Sequence, residues 1–375
     1  MSLHIRLPQE DLSPALSVVN RSVATRSPLP ALSAILFQAQ GDQLTLSATD
    51  LETTLALSLP CTVLEEGELL LPARYVVDLI RKAPSGPVDI QTLGSGPAAE
   101  VVFGRSRYTV QGFPPGQFPR FTEAQPQRVQ RVPTALLQRA VRDVAPAVAT
   151  KDTRPILMGI QLRLGPHHFQ ALATDGFRVA HVRFPLEELE ESLEVVAPAR
   201  GLQELTRLLE DREEEEVEIA FYDQRLAVEL PGLRFHTALL NGSFPDVLSM
   251  VPTQYPTSLT VSAGELVMAL QRSLIIAAAE KDRSQVVTLK VSPSGLEISA
   301  KAADVGSSTE EVAGEGQGPE LQLAFNAQFL LEGLRPFPDE EEVRLLFAGP
   351  RQALLITGTG ESPYRYYVLP VLLSA

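Results

Sequence analysis

The chain has 375 residues, with 32 Lys and Arg against 46 Asp and Glu for a formal charge of −14, 44% hydrophobic residues and one cysteine. These proportions exclude a disordered or fibrous chain, and the length suits two or three domains. A lone Cys61 excludes an intramolecular disulfide and a thiolate metal cluster. No apolar run approaches the roughly 18 residues of a membrane helix, and "MSLHIRLPQEDL" lacks a secretion-signal core; a cytoplasmic protein is expected.

In chain order, "LHIRLP" reads as a strand and leads into a helix, "QEDLSPALSVVNRSVA", with Leu12, Leu16 and Val19 at helical spacing. Alternating strands "SAILFQAQ" and "LTLSAT" follow, split by Gly41-Asp42, a hairpin signal. A second helix over 72–83 opens with proline, and three more strands come after it. The unit reads as βαβββ twice, an α+β layer architecture with two helices packed on antiparallel sheets.

The same unit then recurs. The segment from Val23, "VATRSPLPALSAILFQAQGDQLTLSATDLETTLA", matches that from Val148, "VATKDTRPILMGIQLRLGPHHFQALATDGFRVAH", at a constant offset of 125. "LPARYVVDLIRK" echoes "APARGLQELTRL", and "GQFP" echoes "GSFP", at 126. A fainter third copy carries "SAGELVMALQRSLIIAAAEKDRS", "LEISAKAAD" and "AFNAQFLLEGL". Internal repetition at one spacing marks three versions of one domain, expected at 1–122, 123–253 and 254–375.

Asp50 and Asp175 each close a strand in "ATD". An Asp there accepts backbone N–H groups two residues on, so both are expected to fasten turns rather than to act as acids. Gly176 has no counterpart in the first repeat, where Leu51 stands, and is expected to open a hollow in the middle repeat. The histidines (His4, His167, His168, His181, His236) lack metal-ligand spacing, and no serine sits in a Gly-x-Ser-x-Gly elbow. "GEGQGP" and "GTGESP" do not open a helix after a strand, and the acidic run "EDREEEEVE" lacks calcium-loop spacing. No catalysis, cofactor or metal is expected.

Summed over the six expected helices (9–26, 72–84, 133–154, 198–212, 262–284, 326–337), charge is +4, against −18 for the rest. A mildly positive helical layer with acidic flanks would meet DNA through phosphates without reading bases. Its candidate contacts are Arg21, Arg26, Arg74, Arg81, Lys82, Arg139, Arg142, Lys151, Arg154, Arg200, Arg207, Arg272, Lys281 and Arg283.

"RSPLPALSAIL", "ATDLE", "LLPAR", "GRSRY", "GQFP", "ATDGFR", "GSFPD", "FNAQFL" and "YYVLP" run end to end and in order. In these motifs the chain resembles the bacterial DNA polymerase III β subunits, the sliding clamps. The resemblance implies a homodimeric ring of six similar domains around duplex DNA, a polymerase processivity factor without catalytic activity, opened and closed by a clamp loader. It places a peptide-docking pocket on Leu157, Thr174, Gly176, Phe177, Arg178, Val179, Pro245, Val247, Met250, Asn326, Phe329, Val368, Leu369, Pro370, Val371 and Leu372. Phe177 replaces a histidine, and Ser249 an arginine, found in some relatives. It pairs Tyr108 and Val110 with Ile275 and Ile276, and Arg105 and Arg107 with Glu310 and Glu311, across the dimer contact. For DNA it favours Arg26 and Arg154. Competing readings are a clamp paralogue with fewer partners, a protein scaffold that never meets DNA, and a hydrolase or nuclease on a repeated scaffold.

Overall fold

The computed structural model describes the chain except residues 1, 95, 121–124, 152, 166, 187–191, 211, 213–214, 280–284, 340 and 373–375. The first repeat contains β1 (His4–Pro8), α1 (Gln9–Val19), β2 (Ala34–Gln40), β3 (Gln43–Thr49), β4 (Thr53–Pro60), a short added strand β5 (Thr62–Glu65), β6 (Gly67–Pro72), α2 (Ala73–Arg81), β7 (Pro87–Thr92), β8 (Ala99–Phe103) and β9 (Ser106–Val110). The second contains β10 (Arg128–Pro133), α3 (Thr134–Val144), β11 (Gly159–Gly165), β12 (His168–Thr174), β13 (Arg178–Pro185), β14 (Leu193–Pro198), α4 (Ala199–Leu208), β15 (Glu216–Phe221), β16 (Arg225–Leu230) and β17 (Leu233–Ala238). The third contains β18 (Thr257–Ser262), α5 (Ala263–Ala277), β19 (Val286–Ser292), β20 (Gly295–Ala302), β21 (Gly306–Gln317), β22 (Leu321–Asn326), α6 (Ala327–Leu334), β23 (Glu342–Phe347), β24 (Leu354–Gly358) and β25 (Tyr364–Val368). Apart from β5, every repeat is βαβββ twice.

The chain forms two compact units. In the first (1–133 with 213–239), one sheet runs β5-β1-β7-β8-β9 and another β10-β15-β16-β17-β4-β3-β2-β6. In the second (134–212 with 240–375), a single ladder runs β14-β11-β12-β13-β25-β24-β23-β18-β21-β20-β19-β22. One rule generates the long sheets: the strand that ends the first half of a repeat pairs with the last strand of the next repeat. β4 lies antiparallel to β17, with Thr53 opposite Thr237, and β13 lies antiparallel to β25, with Arg178 opposite Val368. This pairing draws β15–β17 of the second repeat into the first unit.

Helices bury one stripe each. Leu12, Leu16 and Val19 of α1 are fully buried, and α1 packs on β3, β4 and α2. Burial of one such side chain is worth about 1.5–3 kcal/mol. α3 packs likewise on β12, β13 and α4, and α5 on β20, β21 and α6.

The helices are shorter than the spacing suggests. α1 gives way to a 3-10 turn, Asn20–Ser22, and Val23 is extended at φ −79°, ψ 134°. α3 stops at Val144, because Pro146 supplies no N–H for another helical turn. This corrects the charge expectation. As formed, the six helices hold Arg74, Arg81, Arg139, Arg142, Arg200, Arg207 and Arg272 against Glu10, Asp11, Asp78, Asp143, Glu204, Glu265 and Glu332, seven of each sign. The expected +4 vanishes, since Arg21, Arg26, Lys82, Lys151 and Arg154 sit beyond the α-helix ends. Lys281 and Arg283 lie outside the described residues.

Candidate docking site

The site starts from a turn that the molecule builds twice. In the first repeat, Asp50 Oδ1 accepts the backbone N–H groups of Glu52 (3.1 Å) and Thr53 (2.7 Å). In the second, Asp175 Oδ1 accepts those of Phe177 (2.9 Å) and Arg178 (3.1 Å). Thr49 and Thr174 each donate to the carbonyl four residues on and accept an N–H two residues on. Both aspartates are therefore turn fasteners. Leu51 and Gly176 hold the left-handed backbone that the turn demands, at φ 76° and 92°. A Cβ on Gly176 would meet one atom, Arg154 Nη2 at 3.5 Å, so a longer side chain would project over Arg154.

Below this turn lies an apolar cluster in the second unit: Leu157, Leu172, Val179, Val196, Phe244, Ala353, Leu355 and Tyr367, with Ile156, Val247, Leu248, Val251, Tyr255 and Leu346 half-buried against it. Leu157 sits in the 3-10 turn Pro155–Met158, and Val247 in Val247–Ser249. Around them, exposed apolar side chains remain: Phe177 (64%), Met250 (80%), Leu369 (44%) and Leu372 (69%). Pro245, Pro370 and Val371 are half-buried. Leu369 donates its backbone N–H to the Phe177 carbonyl at 2.9 Å, and Val371 donates to Ala324 at 2.7 Å, which fastens the tail. Burial pushes the Tyr255 phenol up to about 12, so it stays neutral.

Arg178 ties the wall to its surroundings. Its Nε donates to Asp175 Oδ2 (2.9 Å), its Nη2 to the Pro146 carbonyl (2.6 Å), and its Nη1 to Tyr366 Oη (3.3 Å) and to Glu332. The guanidinium also lies over Phe329. Burial opposes the charge, but Tyr366 and Glu332 outweigh it and push the pKa up. Asn326 accepts the Phe329 N–H at 3.2 Å, capping α6.

Sequence reasoning named Leu157, Val179 and Val247 of this cluster and missed Leu172, Leu248, Val251, Tyr255, Leu346, Ala353 and Leu355. Those residues lie on elements that approach one another only after strand pairing. Glu332, Tyr366 and Pro146, which hold Arg178, were also out of reach. Arg154, expected at DNA, has its guanidinium beside Gly176.

The other expected surfaces fall as follows. β9 is the end strand of its sheet. Tyr108 is 43% exposed and stacks on Phe103 at 5.3 Å, while Val110 is buried. Ile275 is 70% exposed, so it is not core. Arg105 is exposed and Ile276 half-buried. Within the chain Arg107 bonds Glu100 (2.8 Å), and Arg272 bonds Glu310 (2.6 Å); Glu311 is exposed. Residues 306–313 of β21 pair with β20 and 314–317 with β18, so the first stretch has one strand partner among the described residues.

Several phosphate-contact candidates are already in ion pairs: Arg81 with Asp78 (2.5 Å), Arg139 and Arg142 with Asp143 (3.5 and 3.3 Å), and Arg207 with Glu204 (3.7 Å). Arg21 and Arg200 are exposed. Arg26, Lys82, Lys151 and Arg154 are exposed and form no ion pair among the described residues. Among the described residues no group of three or more His, Cys, Asp and Glu could hold a metal, and no described helix is long and apolar enough to cross a membrane.

A thrice-repeated α+β domain of paired helices on shared sheets, with an apolar cluster beside the turn of the second repeat in place of a titratable cluster, defines a clamp-type fold. Its family models match in order: the N-terminal domain of the DNA polymerase III beta subunit over residues 3–122, the central domain over 131–246 and the C-terminal domain over 248–372. The chain belongs to the DNA polymerase III beta subunit family. It is 26% identical to a beta sliding clamp of Staphylococcus aureus over 360 residues, covering 94% of each chain. It is 27% identical to one of Halalkalibacterium halodurans over 366 residues, 94% of this chain and 95% of that one. The solved sliding clamp of Bacillus subtilis superposes with a TM-score of 0.93 at 25% identity, and that of Pseudomonas aeruginosa bound to griselimycin with 0.91 at 27%, each covering 100% of both chains.

Proposed function

We propose that the apolar cleft of the second unit docks short partner peptides through hydrophobic anchors. Its walls are Leu157, Thr174, Gly176, Phe177, Arg178, Val179, Pro245, Val247, Met250, Asn326, Phe329 and the 368–372 tail. One observation carries the reading: a buried cluster rimmed by exposed Phe177, Met250, Leu369 and Leu372. Apolar walls with a few polar groups give a peptide both burial and orientation.

The chain is a DNA polymerase processivity factor. Two copies close a ring that encircles duplex DNA and slides on it, holding the replicative polymerase, and a clamp loader opens and closes that ring. Topology retains the DNA, so weak phosphate attraction suffices and the −14 charge is no obstacle. In our reading the chain catalyses no reaction, needs no cofactor and works in the cytoplasm. We assign the phosphate contacts first to Arg26, Lys82 and Lys151, whose charges no described acid neutralises; Arg154, beside Gly176, belongs with the docking turn.

The strand-pairing rule supports the dimer contact. It joins β4 to β17 and β13 to β25. Applied to the third repeat, it joins the open stretch of β21 to β9 of a second copy, with Ile275 and Tyr108 beside the seam. Two such contacts close a ring, as a head-to-tail interface must to avoid a filament.

Retention on nicked circular plasmid, after addition of loader and ATP, tests the function. A protein that passes through a sizing column apart from the plasmid is not a clamp. Light scattering tests the contact: the wild type should weigh about twice 40.8 kDa, and Tyr108→Lys with Ile275→Lys should halve that mass while circular dichroism stays unchanged.

A further inference from the structure

The first unit carries a second concavity at the address that the apolar cleft occupies in the second. Its volume is about 770 Å³. The equivalence follows from register: Thr54 lies opposite His236 in the β4–β17 ladder, as Val179 lies opposite Tyr367 in β13–β25. Ser47 opposes Ala56 as Leu172 opposes His181. Leu226 opposes Thr237 as Leu354 opposes Val368, so Arg225 takes the position of Ala353. Phe118 and Phe244 match through "QFP" and "SFP", and the next residue changes from Asp246 to Arg120.

The address is shared and the chemistry is opposite. Leu172, Val179, Ala353 and Tyr367 of the apolar cluster become Ser47, Thr54, Arg225 and His236, all lining the concavity. Arg120 and Arg234 line it too, with Glu229 as the only described acid. Arg225 lies over the Tyr222 ring at 4.6 Å, and Arg120 donates to Glu68 at 2.6 Å. An apolar anchor pressed here would desolvate hydroxyl and guanidinium groups without replacing their hydrogen bonds, which costs rather than gains. Carboxylates satisfy such groups, and guanidinium forks bind them bidentately.

We propose that this concavity is a second docking site, for an acidic, extended segment of a partner protein. Strand alternation sets Ser47 and Thr54 on the face opposite Leu46, Ala48 and Leu55, which are buried in the core on the side where α1 packs. The site therefore looks away from the helical layer assigned to the duplex, which favours a peptide over DNA. It goes beyond the apolar docking reading and does not depend on it.

The probe is a fluorescein-labelled Glu-Ser repeat peptide of about ten residues, titrated by anisotropy into the intact protein at low salt. Saturable binding is expected, weakened about tenfold or more by Arg234→Glu and by Arg120→Glu, and by added salt. Both substitutions should leave the dimer mass and the binding of an apolar-anchored peptide unchanged, so a folding defect and failure of the other site each show separately. Absence of saturation by about 1 mM overturns the proposal, as does binding that neither substitution alters. Tighter binding of oligo(dT) that depends on the same arginines overturns it in favour of nucleic acid.

Discussion

The guanidinium carbon of Arg178 lies 4.0 Å from the ring centroid of Phe329. A side chain on the turn of the second repeat thus rests on the first turn of α6 in the third, so the proposed docking wall draws on two repeats at once. Lysine cannot replace this arginine, because an ammonium lacks the planar fork that reaches Asp175, Glu332 and Pro146 together while stacking on a ring. Arg178→Ala should cost about 3–5 kcal/mol of stability by leaving Glu332 and Asp175 without their cation. Arg178→Lys should recover less than half of that loss in urea unfolding. Full recovery by lysine would mean that charge alone matters here.

Gly176→Leu probes the rim. Leu51 shows that this turn accepts leucine at φ 76°, so the variant should fold, at a cost of about 1–2 kcal/mol for the left-handed backbone. Its side chain would project over Arg154. Affinity for an apolar-anchored peptide should drop at least about tenfold with the dimer mass unchanged, and isothermal titration would reveal unaltered binding if the rim were not part of the site.

Asp143 restrains two candidate phosphate contacts. Its carboxylate is 1% exposed, while Arg139 and Arg142, which it pairs, are 47% and 66% exposed. Burial raises its pKa, against the pull of the two arginines. Asp143→Asn should unmask them and steepen the dependence of duplex binding on salt by about one counterion. Anisotropy at several salt concentrations reads the slope, and Arg139→Gln with Arg142→Gln should restore it. A slope that does not move would leave these arginines without a role at DNA.

His181 makes stability depend on pH. Burial first, then the charges of Arg365, Arg183 and Arg163, lower its pKa from 6.5 to about 4. Between those values the unfolded chain binds a proton that the folded chain refuses. The stabilisation is complete above about pH 6.5 and is lost as pH falls towards 4, by at most about 3 kcal/mol. His236 acts in the same direction. Urea midpoints at pH 7.5 and 5 should differ less in His181→Gln than in the wild type.

Repeat number, strand-and-helix order and the turn-fastening role of Asp50 and Asp175 were all legible in the sequence, because each depends on residues close in the chain. Helix ends were less so: hydrophobic spacing carried the first helix to Arg26, but Val23 already extends, and the acid balance of the helices changed with that boundary. Exposed Ile275 illustrates a different limit: adjacent isoleucines on one helix point to different faces, and only the fold shows that Ile275 is 70% exposed while Ile276 is half-buried.

The amino-acid sequence by itself determined three copies of one α+β unit and the location of the "ATDGFR" turn, since periodicity and turn chemistry are local. Only the tertiary structure decided what that turn faces. Pairing β13 with β25 sets Val179 against Tyr367 and brings Leu346, Ala353 and Leu355 beneath it, whereas pairing β4 with β17 sets Thr54 against His236 beside Arg225. Two similar turns thereby stand beside an apolar cluster and a polar, arginine-lined concavity, because each is supplied by strands remote in the chain, which only the hydrogen-bonded register brings together.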